Sequence, residues 1–488
     1  MEDQFLRTDL VQLGVSVPKA GTARSIYLGL REQIAGGVYQ PGDRLPSTRA
    51  LAEEFGVSRT TVTAAFEQLI SEGYVSVRQG AKATVARNAP NVLDPPVQAP
   101  RGAAKALSAY AMRAMELPAH LPGTTTLKYD FRYGDVAPDD FPKLIWRKAL
   151  TTAVIARRAR LGYGHPAGSI ELRQALQGYL WRARGIRCQA EQIVVTNGSQ
   201  QALDLCARVL VNPGDRVLLE EPCYAMARNV FVTLGAHTTL VPCDADGLNT
   251  GMLPNPFGHA IAFVTPSHQF PLGGVLSVGR RSQLLAWTEA ANAHIIEDDY
   301  DGEYRYDVHP IPPLYLSGRD RVIYIGTVSK TLSPTLRLGY LVLPEALIEP
   351  FVRCKQMTDR HSAIFEQEAL ASLIESGAYE RHVRKMRRLN STRRIAFLTA
   401  MQQAFGEKVE IVGTSAGLHV VVWLNGIDRL EEERLAATAL EAGIGIYPIS
   451  RLFLSDNERR AGFVFGYASI ALHKIADGVK LLHSVLTL

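Results

Sequence analysis

The chain is predicted to be multidomain, with a small α+β module of three helices and a hairpin, then a linker, then a long α/β domain. Three observations predict this. At 488 residues the chain is too long for a single hydrophobic core. Its first 90 or so residues carry short capped helices and two alternating strands. From about Tyr129 onward, helices alternate with short β-branched strands, as in a largely parallel sheet. The expected boundaries are 20–87 for the first module, 88–127 for the linker and 128–488 for the large domain.

In the first module, Ser25 to Ala35 reads as an amphipathic helix ended by Gly36-Gly37, and Pro41-Gly42-Asp43 as a turn. Ser47 caps a second helix that turns Leu51, Ala52 and Phe55 inward and stops at Gly56. Ser58 caps a third, whose Val62, Ala65, Phe66 and Leu69 fall at i, i+3, i+4 and i+7 on one face. Gly73 ends it. Tyr74–Val77 and Ala83–Val85 alternate as strands around Gln79-Gly80-Ala81-Lys82, a two-stranded wing. Two short helices joined by Phe-Gly-Val-Ser make a helix-turn-helix, whose second helix enters a DNA major groove N-terminus first. Ser58, Arg59, Thr60 and Thr61 then face base edges and phosphates, Arg44 and Arg49 reach backbone phosphates, and Gly80 lets the wing tip approach the minor groove.

Residues 88–127 are rich in Pro, Ala and Gly, which makes an extended, semi-rigid tether or spacer, with Ala103–Met115 as a short helix inside it. Beyond it, strands are expected at Gln192–Thr196, Arg216–Leu219, Ala260–Val264, His294–Glu297 and Val322–Ile325. Ligands of such a sheet bind at the carboxyl ends of its strands.

Composition narrows the class. The chain is 47% hydrophobic and 21% charged, ordinary for a globular protein, and 53 basic against 48 acidic residues give a mild +5 that permits contact with nucleic acid. Five dispersed cysteines without C-x-x-C spacing read as reduced thiols, so no disulfide framework and no metal site is expected. No apolar run approaches the roughly 20 residues of a membrane span, and Met1-Glu-Asp-Gln-Phe5 lacks the layout of a signal peptide. The expected compartment is the cytoplasm.

The chemistry gathers at strand ends. Lys330, in Thr327-Val-Ser-Lys-Thr, offers an amine that can form a Schiff base with an aldehyde, while Thr327, Ser329 and Arg337 can hold a phosphate beside it. Aldehyde plus phosphate describes pyridoxal 5′-phosphate (PLP). Asn197-Gly-Ser-Gln opens a helix after a strand, where the backbone of Gly198, Ser199 and Gln200 can cradle a phosphate. Tyr224 follows the next strand and suits either stacking on a pyridine ring or a place in the core. Asp298 can pair with a pyridinium nitrogen and Tyr300 with the ring 3′-oxygen. His268 suits either a place near the cofactor or a structural role.

Two resemblances sharpen these expectations. Gly42-Asp-Arg-Leu-Pro-Ser-Thr-Arg49, Gly56-Val-Ser-Arg-Thr-Thr-Val62 and Gly73-Tyr74 resemble the winged helix-turn-helix of GntR-family transcription factors, which implies DNA contact by Arg49, Arg59, Thr60, Thr61 and Gly80. Position 63 is often arginine in that family and is Thr63 here. The large domain resembles fold-type I aminotransferases, a PLP-dependent transferase fold with large and small subdomains. With Pro266-Ser-His-Gln-Phe-Pro271 and Glu297-Asp-Asp-Tyr-Asp-Gly-Glu-Tyr-Arg-Tyr306, nearly the whole chain resembles the MocR-type (GabR-like) branch of GntR regulators. The resemblance implies PLP on Lys330, with Asp298, Tyr300 and Tyr224 on its ring and Gly198, Ser199, Gln200, Thr327, Ser329 and Arg337 on its phosphate. It implies too that Tyr163 reaches the phosphate of a neighbouring subunit, in a homodimer exchanged head-to-tail.

The pattern breaks where aminotransferases grip the substrate α-carboxylate. Val464 stands in place of the arginine of that stretch, and Met226 in place of another that some members carry. Valine cannot supply a bidentate guanidinium. Arg451 could substitute, or be an exposed loop residue. The expectation is therefore a regulator that binds double-stranded operator DNA and senses PLP, an amine or an amino acid. An active aminotransferase with a DNA-binding appendage is the alternative, and a second domain that only dimerises is a third possibility.

Overall fold

The computed structural model describes residues 22–77, 82–87, 107–118, 127–156, 162–306, 311–455 and 458–486. The chain divides into two compact units, Met1–Ala106 and Leu107–Leu488. The expected wing-tip residue Gly80, and 88–106 and 119–126 of the expected linker, lie outside the described residues.

The first unit holds helices Ala23–Ala35, Thr48–Phe55 and Arg59–Ser71 and the strand pair Val75–Ser76 and Thr84–Val85. The first helix starts earlier than its sequence suggests. Thr22 is its cap, and Ser25 closes a reciprocal capping box instead of serving as the cap. Ser47 and Ser58 cap as expected, accepting from the backbone N–H groups of Ala50 and Thr61. Gly56 takes the left-handed conformation (φ 64°) that turns the second helix into the third. Ile26, Leu30, Leu51, Val62, Phe66, Leu69, Val75 and Val85 close a core of their own.

The second unit is built on an eight-stranded sheet. Its strand order is Ile193–Thr196, Gly339–Val342, Val322–Thr327, His294–Asp299, His259–Val264, Arg216–Glu221, His237–Asp244 and Gly247–Leu248. The five strands from Val322–Thr327 to His237–Asp244 run parallel, Gly339–Val342 is antiparallel to both its neighbours, and Gly247–Leu248 is antiparallel to the edge strand. The central strands His259–Val264, His294–Asp299 and Val322–Thr327 are buried on both faces, which explains their continuous apolar runs, whereas the outer strand His237–Asp244 is largely part-exposed. Three strands run further at their carboxyl ends than expected. Glu221, Asp298, Asp299 and Thr327 are still strand residues, because burial keeps the ladder paired past the apolar run.

The 28-residue helix Ala378–Phe405 leads from this sheet to a smaller one, ordered Val409–Val412, His419–Asp428, Arg460–Gly466 and Tyr447–Pro448. Tyr129–Asp130 pairs in parallel with Ile444–Gly445, so the start of the domain is folded into its carboxyl-terminal part. Helix Ala109–Glu116, capped by Ser108, begins later than its sequence predicts and packs on helix Ala225–Leu234, with Arg113 Nε donating to the carbonyl of Thr233 at 3.0 Å.

Leu69 is fully buried in the small core. Leu69→Ala is expected to cost the first unit about 2–5 kcal/mol and to lower its urea midpoint while leaving the transition of the second unit in place.

Candidate DNA and cofactor sites

The third helix of the first unit presents its N-terminus to solvent. Ser58, Arg59 and Thr60 are exposed, and Arg44 and Arg49 stand exposed beside them. The Ser58 hydroxyl lies 2.7 Å from that of Thr60 and 2.8 Å from that of Thr61, so the first turn is a cluster of short donors above three unsatisfied backbone N–H groups. Arg59 Nε donates to Thr48 Oγ1 at 3.3 Å, and Arg49 lies 3.8 Å from Glu53 as a solvent-exposed pair. Arg44 forms a lone bridge with Thr84 at the base of the wing. Thr63, the departure from the family pattern, turns its hydroxyl back onto the Arg59 carbonyl at 2.9 Å.

In the second unit, the carboxyl ends of the sheet close a cavity of 320 Å³ with the smaller subdomain. Lys330, Asp298, Tyr300, Tyr224, Ser199, Thr327, Ser329 and Arg337 all line it, so eight residues dispersed over 139 positions in sequence converge on one site. Asp298 is the penultimate residue of the strand beside Val322–Thr327, in parallel register and paired with Ile325, and Lys330 follows three residues beyond Val322–Thr327. Tyr304 donates to the Lys330 carbonyl at 2.9 Å, and the Thr331 and Tyr379 hydroxyls meet at 2.8 Å, which fixes the turn that carries the lysine. Lys330 Nζ donates to the carbonyl of Gly134 at 2.5 Å.

Burial lowers the pKa of Lys330, while Asp135, Asp301 and Asp298 pull it back up. A depressed lysine supplies the neutral amine that attacks a carbonyl. Burial pushes Asp298 up to about 7, the neighbouring Asp299 adds to this, and Lys330 opposes it. Asp298 is 6% exposed, and its Oδ1 has no partner among the described residues. An unmet buried carboxylate oxygen fits an N–H cation.

The phosphate end has the matching shape. Thr327 Oγ1 donates to Ser329 Oγ at 2.9 Å and accepts from Ser329 N at 3.1 Å. Arg337, held in the left-handed region (φ 50°), donates through Nη2 to the Asn197 carbonyl at 2.9 Å. Gly198 opens helix Gly198–Leu210 with φ 76°, and a Cβ there would sit 3.0 Å from the Arg337 guanidinium. Only glycine leaves this cradle open. Asp359 anchors the helix start by accepting from Asn197 Nδ2 and Gln201 Nε2, both at 2.8 Å. The ring-binding, amine and phosphate-binding groups thus fit PLP together.

The remaining expected residues fall elsewhere. Gln200 follows Ser199 in the same helix but does not line the cavity. His268 is buried outside the lining, its Nδ1 2.8 Å from Asp301 Oδ2 and 3.0 Å from the Tyr300 hydroxyl, so it buttresses Tyr300 from behind. Tyr163 is 78% exposed, with the Arg360 guanidinium 4.2 Å over its ring. Arg451 is held by Glu433 through two hydrogen bonds, at 2.8 and 2.6 Å, and does not line the cavity. Val464 is fully buried among Phe270, Trp423, Tyr133 and Tyr300.

Sequence reasoning missed Tyr133, Gly134, Asp135, Thr265, Phe270, Leu418 and His419, all of which line the cavity. His419 is held neutral, burial lowering its pKa to about 4 with His268 adding to the effect. Only the segment containing Phe270 had drawn notice, and no local spacing marks the others.

Two families match the chain. "Bacterial regulatory proteins, gntR family" covers residues 22–85, and "Aminotransferase class I and II" covers residues 134–459. The probable rhizopine catabolism regulatory protein MocR of Rhizobium meliloti is 35% identical over 465 residues, spanning 94% of this chain and 93% of that protein. The HTH-type pyridoxine biosynthesis transcriptional regulator PdxR of Corynebacterium glutamicum is 31% identical over 461 residues, with 93% and 94% covered. Among solved structures, Pyrococcus horikoshii kynurenine aminotransferase in complex with PMP superposes with TM-score 0.67 at 29% identity, covering 74% of this chain and 91% of that one. The aminotransferase class I and II fold implies dependence on PLP.

Asp298 yields a pH prediction. Its folded pKa of about 7 lies above its ordinary 3.8, so the cofactor-free folded state binds the proton more tightly than the unfolded chain does. This contribution to stability is present below about pH 4 and is lost as pH rises through about 7. Asp298→Asn should remove that component, and the second unit's denaturation midpoints in the two proteins, compared from about pH 5 to about pH 7.5, should show a shallower decline in the variant.

Proposed function

This chain belongs to the GntR family of bacterial regulatory proteins, in the MocR-type branch that carries an aminotransferase class I and II domain, and from that premise we propose that it is a transcription regulator whose sensor is PLP held on Lys330. The observation that carries the proposal is the cavity in which a depressed lysine and an unpartnered buried carboxylate converge with Ser199, Thr327, Ser329 and Arg337.

Each residue then has a part. Lys330 Nζ would hold the cofactor through its aldehyde, and Asp298 would accept from the pyridine N–H and favour its protonated form. Tyr224 would pack on the ring, and Tyr300, backed by His268, would donate to the 3′-oxygen. Gly198, Ser199, Gln200, Thr327, Ser329 and Arg337 would hold the phosphate. When bound, PLP supplies an electrophilic carbon and an electron sink. On the DNA side, Arg59, Thr60 and Thr61 read base edges, while Ser58, Arg44, Arg49 and Gly80 engage the backbone and minor groove.

The effector is PLP itself, or an amine or amino acid that displaces Lys330 from it. With Val464 packed among aromatic rings and Arg451 engaged by Glu433, neither position offers a guanidinium to the cavity, and the one arginine lining it among the described residues is Arg337, assigned to the phosphate. This argues for ligand sensing over efficient turnover of ordinary α-amino acids. The exposed apolar residues Leu144, Ile145 and Ile155 on one helix, with the exposed Tyr163, support a homodimer in which Tyr163 completes the partner's phosphate site, exchanged head-to-tail as the family resemblance implies. No helix among the described residues is long and apolar enough to cross a membrane, and we place the protein in the cytoplasm with its DNA.

The effector must bind two conformations unequally, and altered closure of the large domain would change the spacing of the two DNA modules. A footprint on the DNA upstream of the protein's own gene tests this. The wild type should change footprint or affinity when PLP is added, Lys330→Ala should bind without responding, Arg59→Ala should lose about 1–3 kcal/mol of operator affinity and relax base preference, and Arg49→Ala should bind more weakly with a salt slope reduced by about one. A wild-type footprint identical with and without PLP and candidate amines would refute the sensing mechanism.

A further inference from the structure

A second cavity, of 510 Å³, opens where the end of helix Ile170–Arg184, the Gly302–Glu303 segment and the start of helix Ala378–Phe405 meet. Five guanidinium groups line it, those of Arg182, Arg184, Arg381, Arg384 and Arg387, against two carboxylates, Glu303 and Glu380. The carboxylates are engaged already. Glu380 Oε1 accepts from Arg182 Nη2 at 2.5 Å, and Glu303 Oε1 from the Tyr179 hydroxyl at 2.8 Å. Burial raises the pKa of Glu303, with Asp299 adding to this and Arg184 opposing it. Arg387 donates to the Glu303 carbonyl at 2.6 Å, a neutral acceptor. Arg381 and Arg384 are exposed, and neither guanidinium has a hydrogen-bond or ion-pair partner among the described residues. Arg184 is 6% exposed and pairs with Asp299 and the Gly302 carbonyl, while its Nε–H has no partner.

Like charges gathered around a concave surface raise the local potential and favour an anion. Guanidinium groups, with planar forked donors, match phosphate oxygens in particular. Arg381, Arg384, Lys385 and Arg388 are exposed at i, i+3, i+4 and i+7, so a cationic stripe runs from the cavity along one helix face. We propose that this cavity binds a phosphoryl group, with Arg381 and Arg384 as its principal donors and Arg184 reaching it from the buried side. The group belongs either to a free phosphate-bearing molecule or to the phosphodiester backbone of bound DNA. Through Arg184 the site is one ion pair from Asp299, the neighbour of Asp298 in the strand that ends at the cofactor cavity. Only the DNA alternative rests on the proposed operator binding.

The test compares the PLP-saturated full-length wild type with the double variant Arg381→Ala/Arg384→Ala, and with Arg384→Lys, which keeps the charge but loses the fork. Inorganic phosphate is titrated against chloride at matched ionic strength while the thermal midpoint is read. Both proteins keep the cofactor's own phosphate cradle, so the difference between them isolates this cavity. The wild type should show a saturable rise in midpoint, with apparent affinity about tenfold weaker in the double variant and intermediate in Arg384→Lys. The salt dependence of operator binding distinguishes the sources. A slope reduced by about one per lost phosphate contact assigns the phosphoryl group to DNA; a lost phosphate response with an unchanged slope assigns it to a free molecule. A double variant that keeps both the wild-type phosphate response and the wild-type slope overturns the proposal. A wild type that binds no operator refutes the regulatory reading, and the phosphate titration still decides this one.

Discussion

The architecture of the second unit turns on one constraint, that a half-buried amine and a buried carboxylate share a cavity at the carboxyl ends of neighbouring parallel strands. Burying either charge is costly unless it is neutralised or paired. Here Lys330 is displaced towards its neutral form and Asp298 is raised to about 7. Asp298 keeps an unmet oxygen, and Lys330 is held by a single backbone carbonyl. Such a pair is stabilised by a ligand that brings an aldehyde to one and an N–H cation to the other. The surrounding structure holds that arrangement in place. The Tyr304 hydroxyl fixes the lysine turn, Asp359 anchors the helix that starts at Gly198, and Arg337 lies across that start.

In the proposed reading the pocket keeps the cofactor-binding groups of an aminotransferase site, while the position where the resemblance places a carboxylate-binding arginine is apolar. Val464 is buried with Phe270 and Trp423 where a guanidinium would otherwise enter. A site that binds PLP without gripping an α-carboxylate is suited to report occupancy. Tyr224, which lines the cavity, precedes helix Ala225–Leu234, whose far end receives Arg113 from helix Ala109–Glu116, so one helix joins that edge of the cavity to the first described segment of the second unit.

Much of this was legible in sequence, for physical reasons. Ser47, Ser58 and Gly56 announce the helix-turn-helix because capping and left-handed turns demand those residue types locally. Lys330, Asp298 and Arg337 stand out because charged residues beside β-branched runs must have a reason to be there. The strand Gly339–Val342 was not foreseen, since its direction depends on which neighbours it meets. Tyr133, Asp135 and His419 were missed because they reach the cavity from segments almost 290 residues apart. Arg451 was weighed as a ligand anchor, but its pairing partner Glu433, 18 residues upstream, becomes apparent only in the folded chain. The arginine-rich start of helix Ala378–Phe405 resembles an ordinary solvated face until helix Ile170–Arg184 is packed against it.

The most direct measurement is the site of cofactor attachment. The protein is incubated with PLP, reduced with borohydride and digested, and its peptides are weighed. A single reduced adduct on the peptide containing Lys330, absent from Lys330→Ala, is the predicted result. No adduct, or adducts spread over surface lysines at the same level in both proteins, would contradict the account.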